Sequence, residues 1–102
     1  MPMRLLLVPT LLVGSTGDRL MRDARAAFAA GEREVALDFS HNAYTDDAGQ
    51  LMLVRIGRDA RQAGAPLVLR NVPGALSRAL AHSGLDTFFH IESSAGELAA
   101  AV

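Results

Sequence analysis

Val35-Ala36-Leu37-Asp38-Phe39-Ser40 is followed, a few residues later, by Thr45-Asp46-Asp47-Ala48-Gly49. These two segments decide the fold. The first is a short apolar run ending in polar residues, which predicts a buried strand over residues 35–39. The second reads as a helix start, with the helix predicted over residues 48–63. The first N–H groups of a helix have no partner inside it. Asp46 is placed to cap them, and Asp47 adds a second negative charge at the positive end of the helix dipole. A helix start on a short loop, here residues 41–47, is also a common place for a regulatory phosphate, because the same N–H groups and dipole favour an anion.

Working outward, Leu53, Ile56, Ala60 and Ala63 recur at three- and four-residue spacing and are expected to face a core. Arg55, Arg58 and Arg61 recur on another side, and Gly64 stops the helix. Upstream, residues 4–8 form a continuous apolar run, as expected for a strand covered on both faces. The alternative, a signal peptide ending near Val13-Gly14-Ser15, fits less well, because the run is short and carries a single preceding Arg. After the loop at residues 14–18, Thr16 or Asp18 caps a helix to about Ala30, with Leu20, Ala24, Phe28 and Ala29 near one face and Gly31 at its end. Downstream, residues 66–72 predict a third strand and Pro73 opens a short helix to about His82. Residues 88–91 predict a last strand. Ser93 or Ser94 caps a terminal helix to Ala101 with Glu97 in its first turn. The alternation predicts an α/β sandwich, a small mostly parallel sheet with about four helices, forming one domain over residues 1–102.

Composition narrows the function. Half of the 102 residues are hydrophobic, enough for a modest core. A formal net charge of −1 argues against a nucleic-acid partner, and 5% aromatics with no Trp against base stacking. There is no cysteine, which excludes disulfides and thiolate metal sites and fits a reducing cytoplasm. No apolar run is long enough to predict membrane insertion.

At this point the chain resembles the STAS domain of anti-sigma factor antagonists. Val35–Ser40 is similar to that family's "v-v-l-D-l-S" strand, and Asp46-Asp47-Ala48-Gly49 to its "D-S-S/A-G" loop. Ala63-Gly64-Ala65-Pro66-Leu67-Val68-Leu69 resembles the entry to the following strand. Val72-Pro73 and Leu80-Ala81-His82-Ser83-Gly84-Leu85-Asp86 resemble the helix that follows, and residues 91–100 resemble the tail. The likeness spans residues 4–101 and rests on the order and spacing of these pieces. It implies a non-catalytic, cytoplasmic bacterial regulator without a cofactor. It also implies a partner, an anti-sigma factor that is itself a serine kinase, met by Asp46, Asp47, Ala48, Gly49, Gln50 and Leu51. In those relatives the first serine of the loop is phosphorylated and the complex is released.

Three departures stand out. The family usually has an additional strand before the one at residues 4–8. The phosphorylated serine is matched by Asp47, and the apolar residue after the glycine by Gln50. Aspartate carries about one negative charge where phosphoserine carries about 1.5 to 2. Asp47 is therefore either a partial phosphate mimic that fixes the interaction state or a plain helix-start acid. Thr45 and Ser40 are alternative phosphosites, each also readable as a hydroxyl making local hydrogen bonds.

Other readings of the same residues stay open. A STAS subunit of a lipid-transport ATPase complex needs no kinase and suits the missing serine. Asp38, Asp46 and Asp47 have the ligand type for a magnesium-dependent phospho-acceptor or small enzyme, although the chain has no lysine. His41, His82 and His90 show no metal-ligand spacing. Gly14-Ser15-Thr16-Gly17 lacks the Gly-Lys-Ser/Thr ending of a P-loop and reads as a turn. The arginine stripe reads as a solvated face or a patch for an acidic partner. The apolar edges of a small sheet point to pairing with a second copy.

Overall fold

The computed structural model describes residues 3–93. Ten elements follow one another: β1 (Arg4–Leu7), β2 (Leu11–Leu12), α1 (Thr16–Ala29), β3 (Val35–Asp38), β4 (Tyr44–Thr45), α2 (Asp47–Gln62), β5 (Leu67–Val72), α3 (Gly74–His82), a 3-10 turn (Leu85–Phe88) and β6 (His90–Ser93). The main sheet is parallel throughout, in the order β1-β3-β5-β6.

Strand alternation sorts the side chains into two faces. Leu6, Leu37, Leu69 and Ile91 share one cross-strand row. On the same side lie Val8, Val35, Phe39 and Leu67, packed with Leu20 and Ala24 of α1, Leu53, Ile56 and Ala60 of α2, and Leu76 and Leu80 of α3. All three helices thus close over one face. The opposite face carries the rows Leu5–Ala36–Val68–His90 and Leu7–Asp38–Arg70–Glu92. At the edge strand β1, Leu5 and Leu7 keep 47% and 59% of their surface. The apolar run at residues 4–8 is therefore covered on one face only, because β1 has a neighbour on one side and helices on one side.

Other expectations are corrected. There are three α-helices among the described residues rather than about four. The terminal helix expected to run to Ala101 falls outside the described residues, which end at Ser93, the last residue of β6. The last strand begins at His90 because Phe88 closes the 3-10 turn. Helix α1 is not capped by Thr16 or Asp18. Its N-cap is Ser15, without a side-chain bond, and the Thr16 hydroxyl instead accepts the Val13 N–H at 2.9 Å. Ala29 and Ala63 are exposed: Ala29 is the last residue of α1, and Ala63 is the C-cap that follows α2. The two-residue strand β4 falls within the loop expected over residues 41–47, and β2 lies between the first expected strand and the loop at residues 14–18. They pair in parallel, Leu11 with Tyr44 and Leu12 with Thr45, and bring the chain before α1 against the chain before α2.

Candidate functional site

Helix α2 starts as its sequence predicts, one residue earlier. Asp46 is the N-cap in extended conformation, and its Oδ1 accepts the Gly49 N–H at 2.8 Å. The Gln50 N–H is taken by the Asp46 carbonyl at 2.9 Å. The Asp46 side chain is half-buried and committed to the fold, whereas Asp47 and Ala48 in the first turn are exposed. The two acids therefore separate into a structural cap and a solvent-facing charge.

Gly49 explains how the helix start reaches its position. A Cβ there would collide with the Leu12 carbonyl of β2 and come within 2.9 Å of the Thr45 methyl. Only hydrogen fits, so the first turn of α2 lies directly on the β2 backbone. The loop before it is fixed by Asn42. Its Nδ2 donates to the Pro9 carbonyl at 2.8 Å and its Oδ1 accepts the Thr45 hydroxyl at 3.1 Å. The Ala43 N–H donates to the Thr10 carbonyl at 2.7 Å and the Asp46 N–H to that of Leu12 at 3.3 Å. The Thr45 hydroxyl is thus already engaged and half-buried.

Around this rigid loop the surface is apolar. Leu51 is 54% exposed, Tyr44 59% and Leu11 51%. Leu51 lies one turn beyond Asp47 on the same side of α2. Leu11 and Tyr44 are cross-strand partners whose neighbours Leu12 and Thr45 turn inward. Gln50 is half-buried and lines a shallow groove of about 150 Å³ with Tyr44, Pro73, Leu76 and Ala79. At the position where the resemblance implies an apolar residue stands half-buried Gln50, and the exposed apolar residue is its neighbour Leu51. Leu11 and Tyr44 went unseen in the sequence because two-residue strands leave no periodic pattern; an apolar residue facing water beside a charged helix start is visible only in three dimensions.

Asp38 belongs elsewhere. At the end of β3 it is 9% exposed, its Oδ1 accepts Asn71 Nδ2 at 2.9 Å and the Ser40 N–H at 3.0 Å, and its Oδ2 accepts the Ser40 hydroxyl at 3.1 Å. Asn71 reaches it from a left-handed position (φ 58°) where the β5–β6 register shifts. The Asn71 amide, then Ser40 and the charge of His41, hold the Asp38 carboxyl below the usual carboxylate range against the opposing effect of burial. The magnesium cluster of Asp38, Asp46 and Asp47 does not form: two of the three carboxylates are consumed by local hydrogen bonds, and no group of three metal-ligating side chains exists among the described residues. Ser40 is exposed, and its hydroxyl donates to Asp38 Oδ2. His41, His82 and His90 are exposed and separate. Residues 14–17 form the turn into α1. Arg55, Arg58 and Arg61 are all exposed, and only Arg61 has a described partner, as detailed below.

Among the described residues no helix is long and apolar enough to cross a membrane. The family described as "Mlab, STAS domain" matches residues 12–92. Two solved structures of one Thermotoga maritima protein, TM1081, share the fold. Its solution structure aligns with a TM-score of 0.69 at 18% identity, covering 91% of this chain and 75% of the other. Its crystal structure, named as that of a candidate anti-sigma factor antagonist, aligns with a TM-score of 0.67 at 16% identity, covering 96% and 86%. No curated protein matches the chain in sequence.

Proposed function

From the premise that the chain belongs to the STAS domain family, we propose that it is a non-catalytic, cytoplasmic regulator that works by docking another protein onto the start of α2. The observation that carries this reading is the division of labour between two adjacent acids. Asp46 caps the helix and leaves Asp47 exposed, with Leu51 one turn further along α2 and Leu11 and Tyr44 of the β2–β4 pair exposed as well. Aromatic and apolar groups around one charge are the composition of a small interface core. The partner class is an anti-sigma factor of the serine-kinase kind, in line with the name carried by the T. maritima neighbour. Asp47 occupies the position at which a phosphoserine controls release in the family, so the gate is fixed by a permanent single charge.

A second reading is docking to the ATPase of a lipid-transport complex. It is favoured by the missing phospho-acceptor, since positions 47 and 48 carry no hydroxyl and that of Thr45 is bonded to Asn42. Pull-downs from native lysate with wild-type, Asp47→Ser and Leu51→Glu baits separate the readings. A serine-kinase-fold protein whose recovery changes with Asp47→Ser supports the gate. A transport ATPase recovered equally by wild type and Asp47→Ser, but lost with Leu51→Glu, moves the assignment to the transport complex. Captured proteins indifferent to both changes contradict docking at this surface. Pairing of two copies through β1, suggested by exposed Leu5 and Leu7, is tested by sedimentation velocity, and a monomer across the concentration range excludes it.

A further inference from the structure

A cavity of about 360 Å³ lies at the other end of α2, some 20 Å along the helix axis from Asp47 at 1.5 Å per residue. Its walls come from the last turns of α2, the entry to β5, the 3-10 turn and the start of β6, with Arg61, Pro66, Leu67, Phe88, Phe89 and His90 as its larger residues. Two features make it more than a surface dent. The Phe89 ring lies directly on the helix backbone: a Cβ at Gly57 would be 2.9 Å from its Cε1, so the ring is seated by a glycine that only a close approach requires. The Arg61 guanidinium is held over the Phe88 ring, 5.4 Å from its centroid, while Nη2 donates to the Thr87 carbonyl at 3.3 Å. The ring and the carbonyl together hold the guanidinium at the cavity and engage only one of its five donors.

The charge of the lining is one-sided. Among the described residues Arg61 and His90 are its ionisable groups, and no Asp or Glu contributes. The rest is apolar or small, and the volume lies at the lower end of the range for small-molecule sites. The carbonyls at the end of α2, which would disfavour an anion, are partly satisfied: those of Ala60 and Arg61 accept the Ala65 and Gly64 N–H groups.

We propose that this cavity is a ligand site for a small amphipathic monocarboxylate, its carboxylate paired with the Arg61 guanidinium and its hydrocarbon body laid against Pro66, Leu67 and Phe89. One fixed cation in an apolar cleft selects a single anionic head with an apolar body over a polyanion or a neutral apolar molecule. The site is spatially separate from the docking surface and independent of it.

The test is an amide-resolved NMR titration of the full chain with octanoate, with octanol as the neutral counterpart. Saturable octanoate shifts at Gly57, Gly64, Thr87 and Phe89 are expected. Arg61→Gln should weaken them about tenfold or more, the usual worth of a charge-assisted pair, and octanol should be weaker on wild type by a similar factor. Asp47→Ser should leave the titration unchanged. Absence of shifts at these amides, shifts centred on Leu51 and Tyr44 instead, or equal responses to octanoate and octanol overturn the proposal. The octanol comparison keeps the test valid even where Arg61→Gln fails to fold.

Discussion

At position 46 the carboxylate belongs to the helix, and at position 47 it belongs to the surface. Replacing Asp46 by Ala leaves the Gly49 N–H without its 2.8 Å acceptor. The expected cost is about 0.5–2 kcal/mol, the usual range for an N-cap, measured by urea unfolding. An unchanged midpoint would show that the cap is not needed. Asp38 gives a second residue-level prediction. Its folded-state pKa is lowered, first by the Asn71 amide and then by Ser40. A depressed carboxylate contributes stability that is fully present above the unfolded pKa, about 3.9, and is lost as pH falls through the folded value. Wild type should therefore lose stability below about pH 4 more steeply than Asp38→Asn. Parallel pH curves for the two proteins contradict this assignment. Both acids were prominent in the sequence, but a shared metal role was one reading of them. Asn71 decides against it, and nothing in the sequence tied position 71 to position 38.

Among elements, the contact between α2 and β2 positions the site. Gly49 has backbone on the other side of its missing Cβ, and backbone cannot swing away as a flexible side chain can. Gly49→Ala is expected to destabilise by about 1–3 kcal/mol through overpacking and to displace the first turn of α2. Calorimetric melting measures the first effect, and amide shifts at Leu12 and Thr45 the second. A variant as stable as wild type would mean that the helix start is not seated there. Helix α2 was legible because Leu53, Ile56 and Ala60 keep a clean helical period and all three are fully buried. Strands β2 and β4 were not, since two residues cannot display alternation. Ala63 misled because it keeps the helical spacing but stands at the C-cap, one residue past the end of α2.

Over the whole molecule, three parallel crossovers place every helix on one face and leave Leu5 and Leu7 on the other. The order of strands and helices was readable because β1, β3 and β5 each carry a short apolar run and end near Pro9, at Asp38 and before Pro73. The one-sidedness was not readable, because an edge strand with one bare face is spelled with the same leucines as a central one. The candidate surface was half legible: Asp46, Asp47 and Leu51 stand together in sequence, whereas Leu11 arrives from a segment remote in the chain. The architecture separates two poles of α2, an acidic end proposed for docking and an arginine-lined cavity. A change at one is therefore expected to leave the other intact.

The most direct test of the central claim is titration calorimetry of the captured partner, purified, against wild type and Asp47→Ser. If Asp47 sets the gate, the affinity changes by a factor corresponding to about 1–3 kcal/mol, the usual range of a coupling between charged states, with the unfolding midpoint of the free protein nearly unchanged. Equal affinities for the two proteins would contradict the claim and leave Asp47 as an ordinary helix-start acid.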